Sequence, residues 1–170
     1  MRLTRGGWHV LALAVAVVMA AAMPFAIVWR MTLACSEDLA AEEAEVHSDH
    51  RFTADDIGGI GDYIGVHWAL DRLGDCSSGR PPEALVYRAL FELDAPSVQT
   101  LLWDHTWLPA TPVTADGPAG ENAIGSALLA YVPAGAEWSM AAALDMADLG
   151  AYTGSLFLDA EHALAYARFW

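Results

Sequence analysis

Apolar and polar positions along this chain fall into three regimes: an unbroken apolar run, an acidic stretch, and a mixed region broken by glycines and prolines. The run, Val10 to Val28, holds nineteen residues without a charge, with Trp8 and Trp29 just outside it. A helix rising about 1.5 Å per residue would separate the two indoles by roughly 31 Å, the thickness of a bilayer's hydrocarbon core. Tryptophan favours the headgroup boundary, so the pair reads as an anchor at each interface. Arg2 and Arg5 precede the run and Arg30 alone follows it, which predicts a cytoplasmic N-terminus and a domain outside the cytoplasm. Pro24 removes one backbone hydrogen bond and predicts a slight kink. Two rival readings are a signal peptide cut near Ala20-Ala21-Ala22 and a lipidated Cys35 after Thr32-Leu33-Ala34. All three place the remaining chain on the same side.

From Ser36 to His50 the pattern turns acidic, with Glu37, Asp38, Glu42, Glu43, Glu45 and Asp49 and little apolar surface beyond Leu39 and Val46. Ser36 can cap a short solvated helix whose first turn carries acids, so residues 31–52 read as a juxtamembrane stalk. Thr53 with Asp56 then makes a variant capping box, and Phe52 with Ile57 a hydrophobic staple. Ile57, Ile60, Ile64 and Trp68 recur at helical spacing up to Gly74, which predicts a helix over 54–73. Gly58, Gly59, Gly61 and Gly65 oppose it, at a cost of up to about 4 kcal/mol against alanine. The other reading is a glycine-rich loop through residue 61 before a shorter helix. A phosphate loop is disfavoured, since no strand is expected before the glycines, the GK[ST] ending is absent, and Asp55, Asp56 and Asp62 would repel an anion.

Cys76 to Pro82 is a loop. In 84–93, Leu85, Tyr87, Ala89, Phe91 and Leu93 alternate as in a strand while Arg88 and Glu92 sit at a helical salt-bridge spacing; Asp94-Ala95-Pro96, which looks like the cap and first turn of a helix over roughly 96–104, tips the reading to a strand before it. Residues 108–125 read as a long loop, 126–132 as a strand and 137–147 as a helix. Ser155–Leu158 and Ala165–Phe169 form a hairpin around Asp159-Ala160-Glu161-His162. The fold class expected is α+β. A single N-terminal transmembrane helix (1–30) leads through the stalk to one small extracytoplasmic domain (53–170), with an antiparallel sheet and about three helices.

Charge narrows the partners. Of the chain's 170 residues none is lysine, and residues 31–170 hold five arginines against all 22 acids, a formal charge of −17. Such a surface repels nucleic acid and anionic headgroups and attracts cations and basic partners. The only two cysteines, Cys35 and Cys76, are both expected outside, where they read as a disulfide.

Two constellations stand out as chemistry. Glu43, His47 and His50 at i, i+4 and i+7 would share one helical face and offer three ligands to zinc or copper. Trp103-Asp104-His105-Thr106-Trp107 puts two indoles, a carboxylate and an imidazole beside a proline-rich loop, a pattern suited to sugar or peptide recognition. No G-x-S-x-G elbow is present, and the many acids by themselves locate no catalytic pair. The expectation is a membrane-anchored, non-enzymatic binding protein for an envelope protein or a wall-type ligand, with no cofactor. The alternatives are a divalent-metal-binding protein and a carboxylate-based hydrolase.

Overall fold

The computed structural model describes residues 5–52, 60, 62–77, 80–110, 124–142 and 152–170, with the backbone alone for 5–22. Helix α1 (Arg5–Ala44) runs 40 residues through Pro24 without interruption. Strand β1 (Tyr63–Leu73) and strand β2 (Ala84–Leu93) follow, then helix α2 (Ala95–Asp104) and the short β3 (Trp107–Pro109). A 3-10 helix covers Ser126–Tyr131, and β4 (Ser139–Ala141), β5 (Gly154–Asp159) and β6 (Leu164–Phe169) are the remaining elements among the described residues. The chain divides into two compact units, one of residues up to Leu39 with Gly74–Pro82, the other of Ala40–Leu73 with Glu83–Trp170.

In the first unit Cys35 on α1 is bonded to Cys76, with Cα atoms 5.9 Å apart, so the expected disulfide is present. Gly74 opens the segment that carries Cys76 at φ +129°, a conformation open to glycine and costly for other residues. From Met23 to Leu33 the helix exposes a series of large apolar side chains, among them Phe25, Ile27 and Trp29. Among the described residues no helix is long and apolar enough to cross a membrane. Most of the run Val10–Val28 consists of side chains outside those described.

Among the described residues the second unit holds a six-stranded sheet in the order β1-β2-β6-β5-β4-β3, every pair antiparallel. This is the α+β antiparallel class that the sequence predicts. Central β6 is buried along its whole length. Its small Ala165 and Ala167 leave room on one face for Phe52, Trp68 and Phe91, with Val98 and Leu101 of α2 packed beside them. On the other face Tyr166, Leu90 and Phe157 lie under Leu128 of the 3-10 helix, Ile124 and Trp138. Asp94 caps α2 by accepting from the Ser97 N–H at 2.8 Å, as the Asp-Ala-Pro signal predicts. In the β5–β6 hairpin, Asp159 Oδ1 accepts from the N–H groups of Glu161 and His162, and Ala163 takes the left-handed φ of 54°.

Four expectations are corrected. The helix over 54–73 is not formed where it can be seen: residues 53–59 and 61, with their capping box, lie outside the described residues, and 63–73 is strand β1. Its register against β2 runs from Tyr63↔Leu93 to Leu73↔Ala84, and ladder pairing outweighs a helical pattern already weakened by glycine. Ile64 and Trp68, one face of the supposed helix, part company, Ile64 being 65% exposed and Trp68 buried. Residues 126–131 form a 3-10 helix rather than a strand, which buries Leu128 against the sheet. Ser139–Ala141 is a strand between β3 and β5 rather than part of a helix, and 143–150 lie outside the described residues.

The stalk is the fourth correction. Ser36 is inside α1 and caps nothing, and beyond Ala44 the chain packs into the sheet unit. His47 exchanges both backbone hydrogen bonds with Trp68, and Phe52, 4% exposed, belongs to the core. Burying Phe52 against four other aromatic rings offsets the entropy of ordering an acidic segment.

Candidate functional site

The recognition segment is divided by the end of α2. Trp103, in the helix's last turn, is 90% exposed and Asp104 beside it is exposed too. His105 caps the helix, its N–H donating to Leu101 O at 3.2 Å. Trp107 turns inward as the first residue of β3: its Nε1–H donates to Leu101 O at 3.1 Å, and its ring packs on the core with its edge to His105. The two indoles therefore do not form one platform, because helix and strand point them in different directions. Leu102 and Pro109 line a groove of about 360 Å³ with Trp138, Ser139, Glu137 and Glu161. Three acidic residues, Glu137, Glu161 and the buried Asp159, and its apolar side chains give it a negative, partly apolar lining.

The metal trio is not gathered. Because α1 ends at Ala44, only Glu43 lies on the helix, and the i, i+4, i+7 spacing loses its meaning. The His47 ring stacks on Trp68 with centroids 4.1 Å apart, while His50 stacks on Tyr63 at 5.0 Å. Among the described residues no three ligating side chains converge on one point.

Glu43 instead meets Asp71 of β1, and the two carboxyls share a hydrogen bond. Burial, then the charge and hydrogen bond of Asp71, hold the Glu43 carboxyl above the usual carboxylate range. Arg88 of β2 pairs with Asp71. Arg88 also lies directly opposite Arg168 of β6, a like-charge cross-strand pair. Asp71 neutralises the first guanidinium, and the second lies 5.2 Å from the centroid of the Trp170 ring. Nearby, burial pushes the Tyr166 hydroxyl up to about 12. One residue before Glu43, Glu42 accepts two hydrogen bonds of 2.9 Å from Arg72, which hold its carboxyl below the usual range. The space at Glu43, Asp71 and Arg88 is only about 80 Å³, and directly hydrogen-bonded carboxyls are closer than the roughly 5 Å of a retaining glycosidase pair. This cluster fastens the end of α1 to the sheet.

A third grouping was not visible in the sequence. Ser48 Oγ lies 3.1 Å from His67 Nδ1, and His67 Nε2 lies 3.7 Å from Glu92 Oε1. His67 and Glu92 project from the same face of β1 and β2, where Gly65 is the register partner of Glu92. A Cβ on Gly65 would come within 3.1 Å of Glu92 Oε2, so glycine there leaves room for the carboxylate to lie close over β1. Tyr131 of the 3-10 helix stacks on the His67 ring at 3.8 Å. Residues 48, 67 and 92 are too far apart in sequence for a motif to link them. The one local signal is His67 itself, a polar position between Val66 and Trp68 in an alternating strand.

The fold and these sites define a small α+β domain built on an antiparallel sheet and joined to a long N-terminal helix. No family model, curated protein or solved structure matches the chain.

Proposed function

We propose that this is a membrane-anchored extracytoplasmic binding protein that takes a basic, partly apolar segment of another envelope protein. The observation that carries the reading is Trp103, left 90% exposed one residue from Leu102 and the groove that Leu102 lines. An exposed indole costs solvation and offers a large rigid contact, the usual profile of an interface anchor. The lining carboxylates Glu137 and Glu161, and a net charge of −14 for the whole chain, favour a cationic occupant. The anchor is the Val10–Val28 run, supported by its length, by Trp8 and Trp29 at its ends, and by the apolar side chains exposed between Met23 and Leu33.

Binding of arginine- and leucine-containing peptides, measured calorimetrically on the full chain in detergent, tests the reading. Trp103→Ala is expected to weaken binding by about 2 kcal/mol, roughly thirtyfold, and Glu137→Gln with Glu161→Gln to reduce its salt dependence. Affinity unchanged by Trp103→Ala, or a preference for neutral glycans over the peptides, would remove the proposal.

A further inference from the structure

We propose that Ser48, His67 and Glu92 form a nucleophilic centre that hydrolyses small esters, an activity separate from binding at the Trp103 groove. Ser48 and His67 stand within reach of a nucleophile and its general base, at 3.1 Å. The base is oriented from two sides. Tyr131 stacks on its ring, and the Glu92 carboxylate lies 3.7 Å from the other ring nitrogen, beyond hydrogen-bond length but within ion-pair range. In the tautomer with Nε2–H towards Glu92, Nδ1 is free to take the serine proton. The negative carboxylate then stabilises the imidazolium that forms.

The nucleophile is held on both flanks. His47 N–H donates to Trp68 O at 2.8 Å and His47 O accepts from Trp68 N–H at 2.9 Å, while Asp49 Oδ1 accepts from Trp68 Nε1–H at 3.1 Å. Ser48 lies between these anchors and is exposed, so its hydroxyl is placed but open to substrate. Because His47 exchanges both its bonds with Trp68, the Ser48 N–H points away from β1, and it has no hydrogen-bond partner among the described residues. Beside the centre, Glu92 and Tyr131 line an open groove of about 480 Å³ with apolar Leu93, Val132 and Leu164, room for a short acyl chain.

In the reaction the Ser48 oxygen bonds to the ester carbonyl carbon, the carbonyl electron pair moves onto its oxygen, and the hydroxyl proton passes to His67 Nδ1. The tetrahedral adduct collapses, the carbon–alkoxy bond breaks, and the alcohol leaves with the proton from His67. Water then adds to the acyl-serine by the same route. The carboxylic acid is released and Ser48 regains its proton.

The test uses the full chain in detergent with a fluorophosphonate probe and p-nitrophenyl butyrate. The expected result is modification at Ser48, found by peptide mass spectrometry, and hydrolysis that Ser48→Ala abolishes. His67→Gln should lower the rate at least a hundredfold. Glu92 acts as a positioning residue, so Glu92→Gln should lower kcat with little change in KM, and Glu92→Asp should partly restore it. If His67→Gln proves unstable, Ser48→Cys gives a second reading: His67 should make its thiol react with iodoacetamide at pH 6 at least tenfold faster than free cysteine. An unmodified Ser48, hydrolysis that survives Ser48→Ala, or an ordinary thiol rate would overturn the proposal. Loss of peptide binding at the Trp103 groove would leave these readouts untouched.

Discussion

Glu43, in the last turn of α1, shares a hydrogen bond with Asp71 of β1, and this contact predicts that the stability of the sheet unit depends on pH. Burial and the Asp71 charge raise the Glu43 pKa above its ordinary 4.5. A carboxyl raised on folding contributes stability that is fully present below its unfolded value and is lost as pH rises through its folded value. Glu43→Gln keeps a hydrogen bond to Asp71 with no charge to desolvate. The variant should match the native protein near pH 4 and become increasingly more stable than it above pH 4.5, measured as melting temperature across pH 4 to 8. Parallel curves would contradict the shared hydrogen bond. Glu42 works in the opposite sense, since Arg72 lowers its pKa, and its contribution fades as pH falls.

Gly154, paired with Phe169 at the start of β5, tolerates no side chain. A Cβ there would lie 2.0 Å from the Arg168 carbonyl oxygen and 2.8 Å from the Phe169 Cα, and neither backbone atom can move without breaking the ladder. Gly154→Ala should cost about 3 kcal/mol or more in urea unfolding. Gly135→Ala makes the comparison: φ is +87° but the space around it is open, so strain of about 1 kcal/mol is expected. Equal losses would show that backbone crowding is not what excludes alanine at Gly154.

Trp103 and Trp107 should behave differently on truncation. Trp103→Ala removes an exposed ring and should change stability by no more than about 0.5 kcal/mol. Trp107→Ala removes a ring packed on the core and one of the two hydrogen bonds that Leu101 O accepts, the other coming from His105 N–H, and should cost about 2 kcal/mol. Thermal unfolding of both single variants reads this directly. If Trp107→Ala is as mild as Trp103→Ala, the inward packing of β3 is wrong.

The proposed topology predicts which side a protease reaches. With Arg2 and Arg5 inside, protease added to intact cells should digest the sheet unit and spare the N-terminal segment. Digestion only after permeabilisation would reverse the orientation.

Where this sequence alone was decisive, the signal and its structural partner lie within a few residues of each other. Asp94-Ala95-Pro96 caps and starts α2 because the carboxylate reaches an N–H three positions on. The β5–β6 hairpin closes on Asp159 in the same short-range way. The cysteine pair followed from there being only two, and the antiparallel α+β class from short alternating runs joined by short connections. Tertiary structure decided the remainder. Residues 63–73 carry a pattern readable at either period, and pairing with β2 settled it. Ser139–Ala141 is a strand because β3 and β5 flank it, and Ser126–Tyr131 a 3-10 helix that lays Leu128 on the sheet. The same holds for the chemistry. Ser48, His67 and Glu92 meet only when residues 45–52 pack against β1 and β1 pairs with β2, since hydrogen bonds between distant segments leave no periodic trace in either one.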